Sequence, residues 1–563
     1  MKNFRKYIID EISSQLNIDS SICQELVEVP PSPQMGDFAF PVFRFAKEYR
    51  KAPNLIAEEM KEKFEVKGII EKVENTGPYL NFFIKDEAFA QEVFQEIGEE
   101  KPFSTDIGQG KSRVVEFSST NIAKPFHIGH LRSTVIGNSL NKIMKYQGFD
   151  TIAINYIGDY GTQFGMMIEA YGLWGDEEKI NKNPIGELLK LYVRYNEEAA
   201  EDEELMEKAR AAFDRLEKKD PEALRLWSWF REISLEEFNR VYQMLGVEFD
   251  SFDGEAYHSQ FIPDVIQELE EKNLLEESDG AMIVNLEEFD LVPAIIKKSN
   301  GSSTYITRDV ATAIHRKKEY DFDENLYIVA SEQILHFKQL RAILKLMGYD
   351  FYKDCIHIPF GLISLKEGAM KTRQGKVVFL EEVLKNAIEK TRQIIEERNP
   401  QLEDKETIAH RVGVGAIIFQ DLYNNRIKDY VFDWDEVLNF EGETGPYVQY
   451  AYARSHSILE KQGFDSKSFV DKSRLVAEEE KQLLRRLYQF QEVIERSCEK
   501  YEPSYITRYS VDLAQDFNRF YGNCSIQNAE EDLKNSRLFL TYTVNRTLEI
   551  ALHLIGLETV KEM

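Results

Sequence analysis

The chain has 563 residues, 43% of them hydrophobic and 30% charged. At ~100–200 residues per domain, this length predicts about three or four domains, and the balance excludes a mainly disordered chain. With 70 Lys and Arg against 98 Asp and Glu, the net charge is −28. That excludes a nonspecific polycation that coats nucleic acid, and leaves room for a local basic patch that reads one RNA. Four cysteines (Cys23, Cys355, Cys498 and Cys524) are scattered without a CxxC pair, so neither a disulfide framework nor a thiolate zinc site is expected. No stretch approaches the ~18–20 apolar residues of a membrane span. The amphipathic start MKNFRKYIIDEISSQL lacks the apolar core of a secretion signal. The expectation is a cytoplasmic protein with no membrane partner.

In chain order, the periodic Phe4, Ile8, Ile12 and Leu16 predict a helix over Phe4–Leu16. A second helix is expected in NLIAEEMKEKF, and strand in VENTGPYLNFFI. Residues 1–105 thus read as a small α+β module, closed by the turn-rich linker KPFSTDIGQGKS. Its aromatic run from Phe38 to Phe45 reads as core. VVEFS is a short apolar run typical of a buried strand. A helix is predicted from about Ile128 to Gln147, with Gly148 as its stop, and TIAINYIG is the next strand. Strand–helix–strand is the unit of a parallel sheet. A charged helical insertion is expected over about 176–250. Alternation then resumes with NLYIVA, ILHFKQLRAILKLMG and CIHIPFGLISL, and residues 401–563 read as all-helical.

The segment FSSTNIAKPFHIGHLRST, residues 117–134, carries the most chemistry. His127 and His130 are i and i+3, so they share one face of a first helical turn. Helix N-termini direct N–H groups and positive dipole at whatever lies in front. Gly129 lets a ring or phosphate approach the backbone. A strand feeding such a turn sets it at the carboxyl end of a parallel sheet, where these folds bind ligands. The arrangement predicts a nucleotide phosphate site with two imidazole donors.

HIGH at residues 127–130 resembles the signature of class I aminoacyl-tRNA synthetases, and SSTNIAKPFHIGHLRST is similar to the arginyl-tRNA synthetase version. NYIGDYGTQFG (155–165), STYITRDVATAIHR (303–316), Gln333–His336 and GETGPYVQYAYARS (442–455) resemble that family in the same order, over nearly the whole chain. The resemblance implies an α/β Rossmann-type catalytic domain at 106–400, an N-terminal module at 1–105 that touches tRNA, and an all-α anticodon-binding domain at 401–563. It implies activation of L-arginine by ATP with Mg²⁺, transfer to the arginine tRNA, no protein-bound zinc, and a monomer. It also implies that activation requires bound tRNA.

His127, His130 and Lys124 are then expected at the reacting phosphate, with Ile128 and Gly129 beside ATP. The family's second motif, a KMSKS loop, reads here MKTRQGK. Met370, Lys371, Thr372, Arg373, Gly375 and Lys376 are assigned to ATP, with Lys371 and Arg373 as catalytic cations. Lys124 matches a lysine that compensates for a weak second motif in related enzymes. A guanidinium is planar with five fixed donors, so a carboxylate is its natural partner. Tyr305 and Asp309, i and i+4 on a predicted helix, are assigned to the arginine side chain. Ser119, Thr120, Asn121, His130 and Gln333 are assigned to arginine binding as well, and His336 to ATP. Asn155, Asp159 and Gln163 fit either the pocket or structural turns. Tyrosines and arginines interleave in the C-terminal helices, as at Tyr447, Tyr450 and Arg454, which suits stacked RNA bases, although tyrosines at helical spacing more often form core. Two rivals remain: a small-molecule adenylyltransferase, which needs no helical RNA domain, and a noncatalytic synthetase-like tRNA binder.

Overall fold

The computed structural model describes residues 3–124, 126–365, 379–433, 437–439, 442–467 and 470–563. The second-motif residues 370–376 lie outside them. The chain divides into two compact units: residues 1–103, 455–491 and 512–548 form one, and residues 104–454, 492–511 and 549–563 the other.

The first unit joins residues 1–103 with two later stretches, 455–491 and 512–548, in one core. Its three-stranded antiparallel sheet runs Phe38–Pro41, Tyr79–Ile84, Ile70–Thr76. Gly77, in the left-handed region at φ 56°, turns the chain between the last two. The N-terminal helix spans Phe4–Leu16 as its periodicity predicts. Phe4 is fully buried, stacked on Tyr488 at 4.5 Å and edge-on to Phe89 at 5.1 Å. Phe38, Phe40 and Phe45 are core, but Phe43 is exposed.

The second unit is built on a four-stranded parallel sheet. We number its elements β1 (Ser112–Glu116), β2 (Asp150–Ile154), β3 (Glu324–Ala330) and β4 (Cys355–Phe360), with helices α1 (Leu131–Tyr146), α2 (Pro221–Leu245), α3 (Tyr305–Tyr320) and α4 (Ile334–Leu346). The strand order is β4-β3-β1-β2, all parallel. Val114 and Val115 are fully buried, as a strand covered on both faces requires. From β1 the chain crosses through α1 to β2 on one side, whereas β3 joins β1 on the other. The order therefore reverses at the carboxyl ends of β1 and β3, the crevice where open α/β sheets bind ligands. The insertion after β2 is helical as expected, ending in α2. A three-stranded antiparallel sheet of short strands, Leu275–Ser278, Ala281–Val284 and Ala294–Lys297, stands between α2 and α3. Its strands are four residues each and half exposed, too short and too irregular to show a period. CIHIPFGLISL divides into β4 and a separate strand, Ile363–Leu365, which pairs with Tyr430–Phe432 instead.

Candidate active site at the sheet's carboxyl edge

The chain leaves β1 through a strained turn. Ser118 and Ser119 both take the left-handed region, at φ 69° and 50°, at a cost of about 1 kcal/mol or more each for residues with a Cβ. Neighbouring hydroxyls hold Ser118 there, and the Ser119 amide donates to the Phe117 carbonyl at 3.0 Å. The Ser118 amide donates to Ser133 Oγ at 2.9 Å, and Thr134 Oγ1 donates to Ser118 Oγ at 2.9 Å. Ser133 Oγ donates in turn to the Ile328 carbonyl of β3 at 2.7 Å. The Tyr242 hydroxyl on α2 gathers Ser118 Oγ (2.8 Å), Asn155 Nδ2 (2.8 Å) and Thr120 Oγ1 (3.4 Å). Among the described residues Ser119 Oγ has no partner and is buried, beside a cavity that Ser119 lines.

That turn leads to the HIGH residues. They form a 3₁₀ turn, Ile128–His130, ahead of α1; the expected α-helical first turn is tighter because each histidine ring binds the turn's own backbone. The Gly129 amide donates to His127 Nδ1 at 3.1 Å, and the His127 amide donates to His130 Nδ1 at 3.2 Å. The rings lie 3.9 Å apart and 30° from parallel. An Nδ1 that accepts cannot carry the proton, so both neutral rings present Nε2–H as donor. Burial, with Lys124 nearby, lowers His127 to about 4. Burial, then His127 itself, holds His130 well below its ordinary value. Near neutrality the turn therefore offers two uncharged N–H donors. Ile128 is fully buried and anchors the turn. Lys124 Nζ sits over the Tyr192 ring at 5.3 Å.

Arg132, fully buried, ties α1 to its surroundings. Its Nη1 donates to the carbonyls of Gly361 (3.0 Å) and Lys428 (2.7 Å), and its Nε lies 3.4 Å from Asp421 Oδ2. Phe379, the first described residue after the second motif, forms a bridge with His127. The Leu380 amide donates to the Phe126 carbonyl at 2.9 Å. Described segments on both sides of the second motif are thus fastened to the HIGH turn or to α1.

Beside the strained turn lies a cavity of about 550 Å³, a size suited to a small polar ligand. Its walls come from the ends of β1 and β3, from the loop after β2, and from α3 and α4. Among the described residues lining it are four carboxylates (Glu116, Glu255, Asp309 and Glu332) and neither Lys nor Arg. Tyr305 and Asp309 share one face of α3, as their spacing predicts, and both line the cavity. Asp309 Oδ2 accepts from His336 Nε2 at 2.6 Å, and Oδ1 from the Tyr156 hydroxyl at 3.4 Å. Burial pushes Tyr156 well above its ordinary value, so it stays a donor. Glu116 accepts from Arg316 Nη1 at 2.5 Å, and Glu255 from Arg308 Nη1 at 2.8 Å. Burial raises Glu116, with Arg316 opposing, and pushes Glu255 up to about 7, with Arg308 opposing.

Of the residues assigned from sequence, Ser119, Asn121, Tyr305, Asp309, Gln333 and His336 meet at this cavity. His336 reaches it as the partner of Asp309. His127, Gly129, His130 and Lys124 are not among its walls; they stand on the loop and turn that continue from Asn121. Thr120 is buried against Tyr242. Asn155 and Asp159 take the structural alternative: Asn155 is fully buried on Tyr242, and Asp159 receives Arg231 Nε at 3.2 Å and the Ala256 amide at 2.8 Å. Gln163 lies in the helix Thr162–Trp174, apart from the cavity walls. Gly158 packs closely on this loop: a Cβ there would come within 2.2 Å of Asn121 Oδ1 and displace that side chain. Sequence reasoning missed Glu255, Tyr156 and Glu116. The one local signal for Glu255 is the preceding Gly254, where a Cβ would meet the Ile157 carbonyl at 2.3 Å, a close approach that brings the segment to the end of β2.

Three family models match the chain. One, described as tRNA synthetases class I (R), catalytic domain, covers residues 93–434. Arginyl tRNA synthetase N terminal domain covers 2–84, and DALR anticodon binding domain covers 448–563. Curated relatives include an arginine–tRNA ligase of Halothermothrix orenii, 52% identical, and one of Clostridioides difficile, 48% identical, each with 100% of both chains covered. Among solved structures, an arginyl-tRNA synthetase of Thermus thermophilus matches over 100% of both chains, at a TM-score of 0.79 and 26% identity. One of Plasmodium falciparum matches over 100% of both chains at a TM-score of 0.83 and 22% identity, which speaks for the fold alone.

Proposed function

The chain belongs to the class I arginyl-tRNA synthetases, and from that premise we propose how its residues divide the work. The enzyme is a ligase: it activates L-arginine with ATP and transfers the arginyl group to the 3′ end of its tRNA, releasing AMP and pyrophosphate. The observation that carries the division of labour is the cavity at the sheet's switch point, with carboxylates on its wall, no lysine or arginine among its described lining, and the unpartnered Ser119 hydroxyl.

Asp309 and Glu255 receive the guanidinium, and Tyr305, at the mouth, closes over the aliphatic stem. Ser119, Asn121 and Gln333 hold the α-amino acid head. The Ser119 hydroxyl gains there the partner it lacks among the described residues. Thr120 supports this loop through Tyr242. The arginine carboxylate then attacks the α-phosphate of ATP in line. His127 and His130, as neutral Nε2–H donors, stabilise the negative charge that develops on the phosphoryl oxygens. Because both rings already hold the needed tautomer, no proton has to move first. Gly129 gives the nucleotide access to the turn, and the buried Ile128 keeps the turn in place. Lys124 lies beside the turn as one cation for the phosphates; Lys371 and Arg373 supply the others, and Met370, Thr372, Gly375 and Lys376 are assigned to ATP with them. Mg²⁺ arrives with ATP as part of the substrate. No covalent enzyme intermediate is needed, since positioning and charge stabilisation suffice.

Residues 106–400 are the catalytic domain in this reading, 1–105 contact tRNA, and 401–563 bind the anticodon; the matched segments support three domains in this order, with the catalytic match running on to residue 434. The enzyme works as a cytoplasmic monomer. No helix among the described residues is long and apolar enough to cross a membrane.

The test is ATP–pyrophosphate exchange with each standard amino acid, with and without tRNA. Exchange with arginine alone, and only with tRNA present, is expected. Exchange with arginine in the absence of tRNA would remove the tRNA requirement, and none from folded protein would favour the noncatalytic tRNA binder.

A further inference from the structure

The cavity wall pairs three of its carboxylates with cations of the protein itself. Glu116 is held by Arg316, Glu255 by Arg308, and Asp309 by His336. Two of these cations are guanidiniums, which stay charged at any pH the fold survives. The third is an imidazole, whose charge changes near neutrality. A cationic ligand that seeks Asp309 finds the imidazole of His336 already 2.6 Å from Oδ2. Two like charges on one carboxylate disfavour each other, and of the three internal cations only His336 can shed its charge.

We propose that arginine enters this cavity in exchange for a proton. In the free enzyme the imidazolium of His336 is the counter-ion of Asp309, and it becomes neutral as the ligand guanidinium reaches the same carboxylate. This deepens, and rests on, the reading of the cavity as the arginine site. One imidazolium N–H proton goes to solvent for each arginine bound. Nε2–H keeps donating to Asp309, and no covalent bond to carbon changes.

The groups around His336 are set for this exchange. Asp309 faces it from α3, and Glu116, paired with Arg316 of α3, from the end of β1; Glu332, in the turn before α4, lines the same cavity. From β4, His357 stacks on Phe337 at 4.4 Å, one residue along from His336. Burial works against the imidazolium, but the Asp309 hydrogen bond and the charges of Asp309 and Glu116 outweigh it, so His336 titrates above its ordinary value. A cation added beside Asp309 cancels the interaction that keeps the proton on. Glu255, on the same wall, is the second group that titrates near neutrality, so the experiment must separate the two.

L-Arginine is titrated calorimetrically into the full-length enzyme at pH 7, in buffers of different ionisation enthalpy. A release of up to one proton per arginine is expected, with Kd rising up to about tenfold per unit as pH falls below 7. His336→Gln keeps a donor toward Asp309 but cannot titrate. Its release should drop and its Kd should flatten with pH, whatever its absolute affinity. Full release retained in His336→Gln, and lost in Glu255→Gln, would overturn the assignment in favour of Glu255. Arginine binding by the wild-type enzyme without proton release would overturn it without any variant. An arginine affinity unchanged by Asp309→Ala would instead remove the site reading itself, whatever the proton count.

Discussion

His127 and His130 at the HIGH turn and His336 in the cavity are the same residue type under opposite constraints. At the turn, backbone amides occupy both Nδ1 atoms, and burial beside Lys124 keeps the rings neutral. In the cavity a carboxylate 2.6 Å away favours the charged ring. The difference teaches that what a histidine does is set by what its nitrogens face. A donor to a phosphoryl group works best without a charge that titrates during turnover, whereas a pocket for a cation gains from an internal cation it can give up.

The sharpest way to break this contrast is to remove one side at a time. His127→Ala should lower the turnover of pyrophosphate exchange by about 10²–10³-fold, the usual loss for a donor aimed at developing charge. Arginine affinity, measured by calorimetry, should move less than about threefold. A matching loss of arginine affinity would mean that turn and cavity are not separate in function. Asp309→Ala should do the reverse, weakening arginine binding by about a hundredfold through loss of a charge-assisted contact. ATP affinity should change little.

Gly158→Ala sharpens the cavity side without touching a charge. Its Cβ would press on Asn121 Oδ1. A loss of about 1–3 kcal/mol in thermal unfolding, typical of overpacking, should accompany a raised KM for arginine; wild-type values for both would remove Asn121 from the pocket wall. The smallest effect is on stability against pH. His127 titrates near 4 in the fold and near ~6.5 unfolded, so the unfolded chain binds more protons in that window. Stability therefore falls as pH drops from ~6.5 toward 4. His336, raised in the fold, contributes stability that is present below ~6.5 and lost as pH rises through its native value. Replacing His127 and His130 by Asn should flatten the acid limb of a denaturation series, and His336→Gln the neutral limb.

Much of the scaffold was legible before folding. The helix Phe4–Leu16 and the shared face of Tyr305 and Asp309 follow from side-chain period, and the strands around Val114 and Leu326 from short continuous apolar runs. The short sheet between α2 and α3 was not, because four-residue strands carry too little alternation to register. Within the site, Asn155 and Asp159 looked as eligible as Asn121. Only the position of Tyr242 and Arg231, far along the insertion, turns the first two into supports.

The sequence by itself determined the local elements and the chemical vocabulary: two histidines on one turn, a carboxylate four residues after a tyrosine. Those depend on repeats of one turn of helix or two residues of strand, which neighbours in the chain specify. Only packing between distant segments sets Glu255 and Glu116 beside Asp309, brings His336 to Asp309, and puts residues 1–103 in one core with 455–491 and 512–548. It also decided which imidazoles are neutral. The physical reason is that charge state and wall membership depend on burial and on contacts between segments tens to hundreds of residues apart, and no local period encodes them.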